Sequence, residues 1–289
     1  MELELECVPC ILKTRARELE ALLEDPRARI GALSRILREA AELLEECATP
    51  PELSTQLFRR VRKIAGVDDP YRRIKEESNR AALELYRELK REIELVDEGE
   101  RLEIAVRASL AGNSVDVGVS DYEFPLGELE REMERARPEI DHTEILEEVG
   151  GELVVFLLDN CGEAVLDRLL AEELEKRGAR TTAIVKGGSF QNDITIKESD
   201  MAGLNESFSR VISTGTDGAS VFLDEISEEC KSAIFEADLI VSKGMAHFEY
   251  LDEIRDRIRK KIVFMLRAKC TPVAEALKVP LKSYVVKLI

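Results

Sequence analysis

The spacing of apolar residues changes once along the chain, near residue 100, from a helical period to short β-branched runs separated by amphipathic stretches. From about Pro9 to Leu95 the period is helical: Leu33, Ile36, Leu37, Ala40, Leu43 and Leu44 share one face, and no strand signal interrupts. Asp25-Pro26, Thr49-Pro50-Pro51 and the stretch from Gly66 to Pro70 stop one helix and restart the next, because proline lacks the amide a helix interior needs. The pattern predicts four to five helices in an N-terminal domain, residues 1–100.

Residues 101–289 read as βα units around a mainly parallel sheet. Strands are predicted at 153–158, 181–186, 210–213, 239–242, 261–266 and 283–288, with helices at 163–177, 227–236 and 249–259 among those between them. The fold class is therefore α/β and doubly wound, in which ligands bind beyond the carboxyl ends of the strands, near the reversal of strand order. The loops that follow strands are the places to look for chemistry.

Three of those loops carry it. After 153–158 come Asp159-Asn160-Cys161-Gly162-Glu163, whose hard oxygen donors suit Mg²⁺ or Mn²⁺ and which open a helix; Asp and Asn are also ordinary helix caps. The next strand leads into Lys186-Gly187-Gly188 and on to Asn192-Asp193-Ile194-Thr195, so a second carboxylate stands in the adjoining loop. Ser213 to Ser220, rich in glycine and hydroxyls, could cradle a phosphate through its amides, although it matches neither the lysine-bearing phosphate loop nor the dinucleotide glycine spacing. Lys243 and Lys269 end later strands, and an ammonium there is a point charge suited to a phosphoryl group. Asn113 and Asp116, in Ala111-Gly112-Asn113-Ser114-Val115-Asp116, lie at the join of the two parts, where an interdomain cleft would hold a sugar or phosphate.

Composition narrows the class of function. The 289 residues carry a formal charge of −17 spread along the chain, which repels nucleic acid and anionic lipid and excludes both as partners. The longest apolar runs are far too short for a bilayer, and no charged start precedes an apolar segment, so a cytoplasmic location is expected. Six scattered cysteines, Cys7, Cys10, Cys47, Cys161, Cys230 and Cys270, do not make a disulfide scaffold and fit a reducing compartment. The charged fraction of 35% is of the kind hyperthermophilic surfaces favour.

Taken together, Cys7-Val8-Pro9-Cys10, Gly112-Asn113-Ser114-Val115-Asp116, Asp159-Asn160-Cys161-Gly162-Glu163, Asn192-Asp193-Ile194-Thr195, Lys243-Gly244 and Lys269-Cys270 resemble, in order and spacing, the damage-control phosphatases over nearly the whole chain. The Cys-x-x-Cys start resembles the mainly prokaryotic subgroup rather than the one with an Arg-Thr-x-Lys element. The resemblance implies a Rossmann-like three-layer α/β/α core behind a helical N-terminal domain. It also implies a divalent cation (Mn²⁺, Ni²⁺, Co²⁺ or Mg²⁺) held by Asp159, Asn160 and Asp193, with Asp159 and Asp193 catalytic. Asn113, Asp116, Lys243 and Lys269 are the implied substrate contacts, and small phosphorylated metabolites such as sugar phosphates, damaged nucleotides or related side products the implied substrates. Where the family has Asn shortly after Lys-Gly, this chain has His247, which bears on specificity.

Three other readings stand beside this one. Cys7 and Cys10 at a helix start could serve thiol redox chemistry, but such pairs follow a strand in a βαβ unit, and a structural or regulatory role fits better. A Rossmann-like sheet can host a methyltransferase or a non-enzymatic metabolite-binding module. Either a water or a carboxylate could be the nucleophile of the phosphatase.

Overall fold

The computed structural model describes residues 1–113 and 126–289, without the side chains of residues 126–130. Six helices come first: α1 (Cys7–Leu22), α2 (Pro26–Leu43), α3 (Pro50–Ala65), α4 (Arg72–Ile93), α5 (Glu98–Gly112) and α6 (Leu126–Arg135). The sheet then begins with β1 (Pro138–Asp141), α7 (Glu144–Glu147), β2 (Leu153–Leu157), α8 (Glu163–Lys176), β3 (Arg180–Val185), α9 (Leu204–Ser207) and β4 (Arg210–Ser213). It closes with α10 (Glu228–Glu236), β5 (Leu239–Lys243), α11 (Gly244–Ile258), β6 (Lys261–Arg267), α12 (Thr271–Leu277) and β7 (Tyr284–Leu288).

The helix starts follow from local chemistry. Asp25 accepts the Arg27 and Ala28 amides at 3.1 and 3.2 Å, ahead of Pro26, whose missing amide costs nothing in a first turn. At α3, Glu52 reaches back to the Thr49 amide at 2.8 Å. The apolar stripe of α2 is narrower than expected: Ile36 and Ala40 are buried between α1 and α3, whereas Leu37 and Leu44 are 48% and 41% exposed.

Among the described residues the sheet has seven strands in the order β1-β7-β6-β5-β2-β3-β4. The five from β4 to β6 run parallel; β7 is antiparallel to β6, and β1 pairs with β7. The chain moves outward from β2 through β3 to β4, then returns to β5 on the other side of β2, so strand order reverses between β2 and β5. Alternation within each strand sends Val154 and Phe156 to a core under α4, α5 and α8, and Val155 and Leu157 to a second core under α10, α11 and α12. Helices α1 to α3 close a third cluster of their own. Packing thus joins α4 and α5 to the sheet, and residue 100 falls inside α5. Strand β1 is absent from the sequence reading, and α11 starts five residues earlier than the predicted 249.

Candidate active site

The acids meet because two loops are zipped together by backbone. The Asp193 loop lies against the Asp159 loop through Ile194 N–H to Asp159 O and Cys161 N–H to Asn192 O, each 2.9 Å, making Asn160 and Asp193 bridge partners. Both loops follow neighbouring strands, β2 and β3, beside the reversal of strand order. Gly162, at φ 81°, turns the first loop into α8, and a side chain there would press on Ser78 of α4 at 3.2 Å. Asp159, Asn160 and Asp193 therefore stand on two loops held side by side.

Asp159 is fixed by amides. Asn160 Nδ2 donates to Asp159 Oδ2 at 2.8 Å and to Glu163 Oε2 at 3.0 Å; Asn113 Nδ2 donates to both Glu163 oxygens at 2.9 and 3.1 Å and approaches Asp159 Oδ2 at 3.4 Å. The same oxygen abuts Gly244, where a Cβ would lie 2.0 Å from Oδ2. Burial, then the charges of Asp193 and Glu163, hold the Asp159 carboxyl well above the usual range. Asp193 is pushed up to about 7 by burial, against the pull of Lys186. Its Oδ2 has no hydrogen-bond partner among the described residues and lies 3.5 Å from Lys186 Nζ.

Lys186 is the cation that sequence reading missed. It directly follows β3, much as Lys243 closes β5 and Lys269 lies just beyond β6. It is buried, donating to Ala219 O at 2.7 Å and meeting His247 Nε2 at 3.2 Å. An ammonium can only donate, so Nε2 accepts and His247 Nδ1–H donates to Ser220 Oγ at 3.0 Å. Burial first, and then Lys186, lower the His247 pKa well below its ordinary value, which keeps the ring neutral. His247 is thus a buried ring whose partners are Lys186 and Ser220.

Three expectations are revised. Lys243 does not face a ligand: it is fully buried, and its Nζ meets Ser109 O at 2.8 Å, Ser109 Oγ at 2.6 Å, Asp167 at 2.8 Å and Glu163 at 3.1 Å. Three ammonium protons are fully used there. Asn113 is likewise buried, with Oδ1 taken by the Arg267 amide at 3.2 Å, and orients the acids instead of a substrate. The Ser213 to Ser220 turn is a poor phosphate cradle, because its amides are largely taken: Thr214 N–H donates to Val185 O, Gly215 N–H to Ser213 Oγ, Thr216 N–H to Thr214 Oγ1 and Ala219 N–H to Thr55 Oγ1. Asp116 lies outside the described residues. Lys269 is exposed on the rim, close enough for its charge to act on Asp159. Cys7 and Cys10 are free thiols in a cleft beside Lys269, and burial pushes Cys7 up, away from thiolate chemistry.

The model of the damage-control phosphatase ARMT1-like domain matches residues 4–285. A damage-control phosphatase of Archaeoglobus fulgidus is 32% identical over 286 residues, 98% of each chain, and one of Pyrococcus horikoshii is 33% identical over 97% of this chain and 96% of its own. The chain belongs to the damage-control phosphatase family. The crystal structure of a DUF89 family protein from Pyrococcus horikoshii superposes with a TM-score of 0.89, at 32% identity over 99% of this chain and 98% of that one, so the Rossmann-like fold is the family's.

Whether this damage-control phosphatase site suits a divalent cation rests on its donors. Among the described residues no group of three or more His, Cys, Asp and Glu side chains is arranged to hold a metal. The set at hand is two carboxylates and an amide. Asn160 and Asp193 are bridge partners, the amide nitrogen of Asn160 is engaged by Asp159 and Glu163 so that its oxygen is the atom left for a cation, and Asp193 Oδ2 has no hydrogen bond, its neighbour being Lys186 Nζ at 3.5 Å. Hard oxygens crowded until their pKa values rise are what a hard cation relieves, and the residues fit it.

Proposed function

We propose that this chain is a phosphatase of metabolite damage control that hydrolyses small phosphorylated metabolites with a divalent cation (Mn²⁺, Ni²⁺, Co²⁺ or Mg²⁺) held by Asp159, Asn160 and Asp193. The observation that carries it is the meeting of the two acid-bearing loops at the reversal of strand order, where a backbone bridge pairs Asn160 with Asp193 and Asp159 lies under the charge of Asp193. When bound, the cation supplies Lewis-acid neutralisation of phosphoryl charge, worth several kcal/mol in such reactions.

The remaining work falls to the chain. Asn113 and Asn160 set the direction of the Asp159 carboxylate, and Lys186, steered by His247 and the Ala219 carbonyl, sets that of Asp193. Asp193 and Asp159 are the carboxylates available to take a proton from an attacking water, a role for whichever oxygen the cation does not hold. Lys269, exposed on the rim, meets the charge of the incoming phosphoryl group.

The test is phosphate release from a generic aryl phosphate with each divalent cation in turn, beside a chelator control. Wild-type protein should turn over only with added metal, and Asp159→Ala and Asp193→Ala should lose that turnover while remaining folded. Turnover near wild type in either folded variant, or release that ignores the chelator, would sink the assignment.

A further inference from the structure

Beside the acids a cleft of about 390 Å³ opens between the helical cap and the sheet. Ile11 of α1 and Pro51 of α3 line one side; Phe190, Met245, Pro272 and Leu281 belong to the sheet side. That volume falls within the range of small-molecule sites. Four links of chain tie its wall to the acid cluster. Phe190 and Gln191 run directly into Asn192 and Asp193, and Met245 follows Gly244, which abuts Asp159. Ala219, also on the wall, is the carbonyl that holds Lys186. Lys269 lines the cleft and is the cation whose charge reaches Asp159.

We infer that this cleft is the subsite for the organic part of the substrate, and that the preferred substrates are phosphate monoesters whose organic part is apolar and uncharged, rather than polyhydroxylated sugars. The inference rests on the phosphatase reading for its reacting group. The wall is mostly carbon, with Ser54, Gln191 and Thr271 as its uncharged polar side chains, so most hydroxyls of a sugar would lose water without replacement, whereas an apolar ring gains by leaving water. Glu6 stands on the same wall, and its charge disfavours a second anionic group on the organic part. Lys269 at the edge leaves one end of the cleft for the phosphoryl group.

Two cysteines supply a natural reporter. Cys10 and Cys270 line the cleft, whereas Cys47 packs against the separate cluster of α1 to α3. A non-hydrolysable naphthyl phosphonate should slow maleimide alkylation of Cys10, followed by peptide mass spectrometry, and leave Cys47 unaffected. In turnover, kcat/KM for 1-naphthyl phosphate should exceed that for a hexose 6-phosphate by roughly tenfold or more, the scale on which apolar contacts discriminate. Leu281→Asp, at a position 51% exposed and so tolerant of change, should erase most of that preference. Equal kcat/KM for the two esters, or alkylation of Cys10 unaffected by the phosphonate, overturns the inference. If neither ester releases phosphate with any cation, the phosphatase reading fails, and protection of Cys10 by the phosphonate still decides whether the cleft is a binding site.

Discussion

At the scale of single residues, the site is shaped as much by a missing side chain as by those present. Gly244 sits at φ 75°, where an L side chain is strained, and the space its Cβ would fill belongs to Asp159 Oδ2. Gly244→Ala should therefore cost about 1–2 kcal/mol of stability and, by turning the Asp159 carboxylate away, most of the metal-dependent turnover. Urea unfolding and phosphate release measured on the same preparation check both parts; full turnover would mean that Asp159 works from another position. Lys-Gly was legible in the sequence as a motif, but the reason for its glycine was not. That reason is a carboxylate 85 positions earlier in the chain, brought alongside by the pairing of β2 with β5. Lys186 was hidden for a similar cause, because its partners Ala219, His247 and Asp193 come from two loops and helix α11.

At the scale of elements, strands buried on both faces were readable because a parallel sheet demands continuous apolar runs, as in Val154 to Leu157 of β2 and Ile262 to Leu266 of β6. Strand β1, Pro-Glu-Ile-Asp, lies on the sheet edge half exposed and gives no such run. The junction of α5, α8 and β5 was invisible for a different reason: it is a buried charge cluster formed only by packing. Lys243 there is flanked by Glu163 and Asp167, whose charges outweigh the effect of burial and hold its pKa up, while burial pushes Asp167 up to about 6. Removing the one cation leaves two carboxyls buried without it, so Lys243→Met should destabilise the protein by roughly 3–5 kcal/mol. Thermal unfolding distinguishes this from a substrate contact, which would show intact stability and weakened turnover instead.

At the scale of the molecule, the helical cap is held to the sheet by a charged clamp that also positions one wall of the cleft. Arg59 and Arg62 of α3 close on Asp217 from either side, Arg59 at 2.7 Å and Arg62 at 2.8 Å, and Arg59 continues to Glu225 at 2.5 Å. Nearby, Phe58 stacks edge-on against Phe190 at 5.3 Å between centroids, joining α3 to the loop that leads to Asp193. The sequence announced two packed parts but could not say what joins them, since Arg59 and Asp217 are 158 positions apart. The clamp is partly open to water, with Asp217 24% exposed, so it is weaker than a buried pair. Asp217→Ala removes charge-assisted hydrogen bonds from two arginines yet leaves Glu225 to Arg59, and should cost about 1–2 kcal/mol. Because α1 to α3 have a core of their own, the loss should be local. Amides of α1 to α3 should exchange faster with solvent while those of β2, β3 and β5 keep their protection, and the gap from wild type should narrow as salt screens the pair. Uniform acceleration of exchange across both parts would mean that cap and sheet unfold as one cooperative unit and that the clamp is not a separate joint.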